Sequence, residues 1–269
     1  MVALLVATLI GVFITPDGIV IGADTALSNI GGQVASQQKY CITGPRSVAT
    51  MQGAYFLEDT VTKATVELHN RFRDLCGQIG DSLSPMTLKQ QADHIANELR
   101  TDLVEFLQGL PAADVITYAS TPVVARIAVS GYGERGPESV VVGLGIAIDR
   151  PTNRWEVQVQ PLARLTFSEC GVRFHGQESV VNVVRTDKGV RIPKADIAQP
   201  DVARLAGLLR GECGNTTTRT ATAMFLQAVR LTMTLGPGFG VPQGSVGLPI
   251  DIVVIPRDGA IDVQRVTSW

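Results

Sequence analysis

Apolar and β-branched residues lie on both sides of Pro16-Asp17-Gly18, as Val12-Phe13-Ile14 before it and Ile19-Val20-Ile21-Gly22-Ala23-Asp24 after it. Runs of this kind around a Gly-containing turn predict a β-hairpin of two central strands. A third run, Ser47 to Gln52, ends at Gly53-Ala54, where a backbone without side-chain bulk lets another group come close. Beyond it the period lengthens. Leu57, Val61, Ala64, Leu68, Phe72 and Leu75 are spaced three or four apart, and so are Leu88, Ala92, Ile95, Leu99, Leu103, Phe106 and Leu110. This spacing predicts two amphipathic helices, joined by a connection from Gly77 to Pro85 that is rich in Gly, Asp and Ser.

Strand character returns at Val123 to Val129, Ser139 to Ile148 and Trp155 to Val159. Helical spacing follows in Val202, Leu205, Leu208 and Leu209, then in Ala221, Phe225, Ala228 and Leu231, the last set preceded by Asn215-Thr216-Thr217-Thr218, which suits an N-cap. Ile250 to Ile255 and Ala260 to Val263 bracket a Pro-Arg-Asp-Gly turn, a closing hairpin. Strands thus alternate with pairs of helices, whereas a doubly wound parallel sheet alternates single strands with single helices. The order predicts an α+β fold: two antiparallel sheets between helical layers. No low-complexity linker divides residues 1–269, which read as one domain.

Composition narrows the chemistry. The chain has 45% hydrophobic and 18% charged residues, as an ordinary folded protein does. A formal net charge of −2, with Lys and Arg scattered, offers no basic stripe for nucleic acid and no polybasic anchor for a membrane. The apolar run Met1 to Ile14 is too short to span a bilayer as a helix and lacks the positive flank of a secretory signal. Cys41, Cys76, Cys170 and Cys213 stand far apart without a CxxC pair, and His69, His94 and His175 do not cluster. Reduced, buried thiols in a cytoplasmic protein with no metal and no cofactor are the expectation. His69 and His94 fall on the two expected helices, in core-edge or solvated roles. Gly131-Tyr132-Gly133, Gly143-Leu144-Gly145 and Gly236-Pro237-Gly238 are not followed by the residues of a phosphate-binding loop, and no GxSxG occurs.

Thr8 heads the first apolar run. A threonine hydroxyl needs a base within hydrogen-bond reach, and a free α-amine on the same residue can serve if the chain is cut before it. That amine titrates near roughly 7.7 to 8.0, and a neighbouring ammonium raises its unprotonated fraction. Asp24 and Lys39 follow within the same part of the chain.

Thr8, Gly18, Ala23-Asp24, Lys39 and Thr50-Met51-Gln52-Gly53 resemble the N-terminal third of a proteasome β subunit, an N-terminal-nucleophile (Ntn) hydrolase. The register needs no gap from Thr8 to Asp24 and one deletion before Lys39. The resemblance implies a four-layer αββα sandwich. It implies a threonine peptidase whose residues 1–7 are a short propeptide, with Thr8 as nucleophile, Lys39 tuning its amine and hydroxyl, Asp24 holding Lys39, and the Gly53 N–H facing the oxyanion. Ser28, Met51 and Tyr55 match positions lining the family's substrate groove. The implied partners are a peptide or protein substrate, further copies in a homo-oligomeric ring and an unfoldase. The alternatives are an inactive subunit for assembly or binding, and an amidase for a small amide.

The pattern is not complete. Ala7 stands where self-processing members have Gly, and Gly176-Gln177-Glu178-Ser179 is the nearest approach to a Ser-Gly-Ser. Gly244 to Asp251 loosely resembles the family's late Ser-Gly-Gly turn, and Pro242 stands where an Asp precedes it.

Overall fold

Both strands of the hairpin in the second of the chain's two units are buried at every position: β2 (Leu9–Thr15) and β3 (Gly18–Asp24) have no exposed residue, and only the turn at Pro16-Asp17 between them is exposed. Thr15 Oγ1 closes the turn by donating to Asp17 Oδ1 at 2.7 Å and to the Gly18 carbonyl at 2.8 Å. The computed structural model describes residues 2–5, 9–29, 32–59, 61–82, 85–111, 115, 123–149, 151–152, 154–166, 171–176, 180–181, 203, 205–207, 209, 216–239, 241 and 246–269. They form an α+β structure with two antiparallel sheets and helices. The chain divides into one unit of Met1–Val6, Tyr40–Val129 and Val140–Arg164 and another of Ala7–Lys39, Ser130–Ser139 and Leu165–Trp269.

In the first unit β7 (Ser47–Glu58) is the pivot, extending the expected run through Gly53. β1 (Val2–Leu5) pairs with its later half, with Val2 opposite Glu58 and Leu5 opposite Ala54. β6 (Tyr40–Gly44) pairs with its earlier half, with Tyr40 opposite Thr50 and Cys41 opposite Ala49. β8 (Thr65–Val66) pairs with its end, and β9 (Ala125–Gly133), β10 (Gly136–Asp149) and β11 (Arg154–Thr166) complete the order β1-β7-β9-β10-β11. α1 (Leu68–Gly80) buries Leu68, Phe72, Leu75, Cys76 and Ile79, and α2 (Leu88–Gln108) buries Ala92, Ile95, Leu99, Leu103 and Phe106. Thr87 and Gln90 close a capping box at the start of α2. Arg71 ties the two helices through Glu98 at 2.9 Å and Asp102 at 3.3 Å.

Two expectations change here. The helix predicted from Leu57 starts at Leu68, because Leu57 belongs to β7 and a turn intervenes. In that turn Asp59 Oδ2 accepts from the N–H and hydroxyl of Thr62, each at 2.6 Å, and Lys63 takes φ 62°. Val61, counted in the helical period, is 80% exposed. The cysteines also differ from expectation: Cys41 of β6 and Cys76 of α1 form a disulfide with a Cα separation of 6.1 Å. Thirty-five residues apart in sequence, they meet because α1 lies against β6. Cys170 and Cys213 lie outside the described residues.

The second unit contains the sheet β12-β2-β3-β13-β14, where β12 is Val172–Gly176, β13 is Ile250–Pro256 and β14 is Asp262–Val266. A small hairpin, β4 (Ala26–Asn29) with β5 (Gly32–Ser36), follows β3. α3 (Thr218–Leu235) is capped by Thr217, as its sequence predicts, and Asp17 of the hairpin turn accepts from the Thr218 N–H at 3.0 Å and the Thr218 hydroxyl at 3.1 Å. The carboxylate thereby anchors the positive end of the helix to the turn. Phe225 of α3 rests on two glycines paired across the hairpin, Gly11 and Gly22. A Cβ at Gly22 would come within 2.1 Å of its ring, and one at Gly11 within 2.7 Å. Phe13, Phe174 and Phe225 form the aromatic centre of this core, with Leu9, Val20, Ile250 and Ile252 around them.

Candidate active site

Asp24 ends β3 and Lys39 immediately precedes β6; both side chains are 0% exposed. The Lys39 ammonium donates to Asp24 Oδ1 at 3.3 Å and to the Ala26 carbonyl at 2.6 Å. The same carboxylate oxygen accepts the Leu9 N–H at 2.7 Å. That nitrogen belongs to Leu9, the residue that follows Thr8 in the sequence. A buried charge pair survives only when its remaining donors and acceptors are also engaged, and here backbone groups at residues 9 and 26 contribute to that.

The local backbone is braced as well. Thr25, fully buried, donates to the Pro249 carbonyl through its N–H and through its hydroxyl, each at 2.9 Å, and its own carbonyl accepts the Gln37 N–H at 2.8 Å. The segment carrying Asp24 and Ala26 is thus tied to the start of β13 and to the approach to Lys39. Burial pushes the Lys39 ammonium below its ordinary value, and the Asp24 carboxylate opposes that shift through its charge and its hydrogen bond. An ammonium whose proton is held less tightly is better suited to proton traffic with a neighbouring hydroxyl or amine.

The other expected site residues are placed as follows. Thr8 lies outside the described residues. Gly53 lies within β7 at φ +118°, where a Cβ would sit 2.3 Å from the Val124 carbonyl oxygen and 2.8 Å from Ala125 Cα. Glycine is therefore required there by the backbone itself, whatever its N–H faces. Met51 and Tyr55, implied to line a substrate groove, are core side chains at 0% and 3% exposure. The Tyr55 hydroxyl donates to the Met51 carbonyl at 2.7 Å and its ring stacks on His69 of α1 at 4.5 Å. Ser28 lies in β4 opposite Gln33, its side chain outside what the structure describes. His175 is buried on β12 opposite Ile10.

Sequence reasoning missed the Leu9 N–H, the Ala26 carbonyl and Thr25. The first two are main-chain groups with no sequence signature. Thr25 follows Asp24 directly, and a small polar residue at the end of an apolar strand is the one sign that could have indicated it.

No protein-family profile and no curated protein matches the chain. Among solved structures it is similar to the helical assembly of the Anbu complex from Pseudomonas aeruginosa, at 16% identity and TM-score 0.52, covering 96% of this chain and 86% of that one. It also aligns with an Anbu (Gly-1) mutant from Hyphomicrobium sp. strain MC1, at 14% identity and TM-score 0.49, covering 97% and 88%. Anbu, described as an ancestral beta-subunit, from Yersinia bercovieri aligns at 12% identity and TM-score 0.48, covering 96% and 86%. The Pseudomonas likeness shows the fold, which is proteasome-like.

Proposed function

We propose that the chain is a threonine-type amide hydrolase of proteasome-like build that acts on peptide bonds. The observation that carries this reading is the buried Asp24–Lys39 pair whose carboxylate also accepts the Leu9 N–H, one bond from Thr8. Hydrolysis of the Ala7–Thr8 bond removes residues 1–7 as a propeptide and leaves Thr8 with a free α-amine. The hydroxyl proton passes to that amine as Oγ1 adds to the substrate carbonyl, with the Gly53 N–H the proposed donor to the oxyanion. Collapse of the adduct expels the leaving amine, which takes the proton, and forms an ester on Thr8. Water then hydrolyses the ester by the same route and regenerates the hydroxyl. Lys39 stabilises the negative charge that builds near Thr8, and Asp24 keeps its ammonium in place.

Self-association belongs to the same proposal: the Pseudomonas relative is a helical assembly, and this reading gives the present chain homo-oligomers, with a closed ring and an unfoldase as the finer expectations.

Mass spectrometry of the denatured, purified full chain tests the proposal. A species beginning at Thr8 is expected, and Thr8→Ala should stay uncut and lose peptide hydrolysis by at least about 10³-fold. A homogeneous chain retaining residues 1–7, inert toward peptides and toward a peptide-based covalent inhibitor, would reject it. One observation favours the second reading, an uncut assembly subunit: Val2–Leu5 is not a loose leader but strand β1, paired with β7.

A further inference from the structure

Lys39 is the last residue before β6, and three features hold the chain around it. On its amino side the Gln37 N–H is bound to Thr25. On its carboxyl side β6, only five residues long, pairs with β7. Two peptide bonds beyond Lys39, Cys41 is covalently joined to Cys76, which lies on the buried face of α1 beside Phe72, Leu75 and Ile79. A short strand with few ladder bonds opens easily unless something else fixes it. The disulfide is the covalent fixture here, and it joins the strand to a helix whose own apolar face is buried.

We infer that the Cys41–Cys76 disulfide is a redox-sensitive tether that holds the Lys39 segment in position, so that the thiol state of this pair regulates the Asp24–Lys39 site. The inference rests on the proposed function for its consequence, while the tether itself is a matter of geometry. Opening it requires a dithiol reductant. One thiolate attacks a sulfur of the bridge, the second displaces the mixed disulfide, and the reductant leaves oxidised by two electrons while Cys41 and Cys76 each gain a proton. Cys41 is half-buried and Cys76 is 1% exposed, so attack falls on the Cys41 side. With the covalent link between β6 and α1 cut, the residues ahead of β6 are held by noncovalent bonds alone, and an ammonium now 0% exposed becomes accessible. In a reducing compartment such a bridge would be formed transiently and would act as a sensor.

The test uses the full chain in buffers of oxidised and reduced dithiothreitol, with thiols trapped by iodoacetamide. The oxidised form should resist alkylation at residues 41 and 76, and the reduced form should take up two labels. On reduction, amide exchange over residues 37–44 and acylation of the Lys39 amine should both rise by at least about tenfold, with other lysines unchanged and cooperative melting retained. Production of the species beginning at Thr8 should fall in parallel. A Cys41→Ser/Cys76→Ser variant should behave like the reduced form in either buffer, and redox titration of the unmodified chain decides the matter if that variant folds poorly. Alkylation of both cysteines in oxidising buffer would overturn the inference. So would a bridge that opens without altering Lys39 labelling or exchange over 37–44. If labelling responds to redox state but no species beginning at Thr8 is formed in either buffer, the tether stands and the peptidase reading falls.

Discussion

Two aspartates on neighbouring strands of one sheet hold basic partners in opposite ways. Asp24 lies opposite Ile250, and Asp251 lies opposite Ala23, so their side chains emerge on opposite faces of the β3–β13 ladder. Asp24 meets Lys39 in full burial, through one oxygen shared with a backbone N–H. Asp251, itself buried, meets Arg265 in a two-point fork at 2.6 and 2.9 Å, and the arginine side chain is 50% exposed. The fork is the arrangement expected of a pair that joins β13 to β14, since it satisfies both carboxylate oxygens and leaves the guanidinium hydrated. The sealed pair gives up hydration at both ends and points a single oxygen at the residue next to Thr8. A buried ion pair of this kind adds little net stability over an apolar replacement.

The comparison breaks most sharply at Asp24. Asp24→Asn leaves the fully buried Lys39 ammonium without its anion, and should destabilise the protein by about 3–5 kcal/mol. The melting temperature would then fall on the order of 10 °C, measurable by calorimetry, and release of residues 1–7 should stop. Arg265→Ala should cost less, about 1–3 kcal/mol in denaturant unfolding, because the arginine that leaves is half exposed and its loss opens the buried Asp251 carboxylate to water. Processing at Thr8 should continue in this variant. If the two substitutions cost the same and both abolish processing, the distinction between the pairs is wrong.

Acid–base behaviour sharpens the same contrast. The Lys39 pKa is lowered in the folded protein, so between that value and the ordinary 10.5 the unfolded chain holds more protons. Stability contributed at this position therefore rises with pH across that window. Denaturant curves at several alkaline pH values should show a component of this sign that disappears in Lys39→Met. Asp17 is the exposed end of the series. Its slight burial favours the neutral acid, but hydrogen bonds from Thr15 and Thr218 outweigh this and hold its pKa below 3.8. Its contribution is present above pH 3.8 and is lost as pH falls through the lower folded value. Asp17→Ala should cost about 1 kcal/mol near neutral pH, the size of a helix-terminus cap, with the difference from the parent chain shrinking in strong acid.

The sheets and helices were legible where the period is long and uninterrupted. The β2–β3 hairpin, α2 and α3 with its Thr217 cap all follow from spacing and turn residues. Leu57, Val61 and Ala64 misled because a strand end and a turn happened to match a helical spacing. The short strands β4, β5, β6, β8 and β12 hold too few residues for any period to show, and their pairing is set by tertiary contacts. At the site, the Asp24–Lys39 pairing was legible through resemblance to a family. The main-chain groups that complete it were not, since any residue supplies an N–H or a carbonyl. The Cys41–Cys76 bridge was hidden for a related reason: spacing along a chain does not reveal which helix will lie on which strand.

The seat of Phe225 on Gly11 and Gly22 carries a consequence for how this protein can diverge. Because the ring fills the space that two missing side chains leave open, the three positions constitute one heritable unit. A methyl gained at residue 22 is tolerable only if the ring at 225 shrinks, and a smaller residue at 225 leaves a void unless the floor beneath it grows. Descendants of this sequence should exchange these residues together or keep them all.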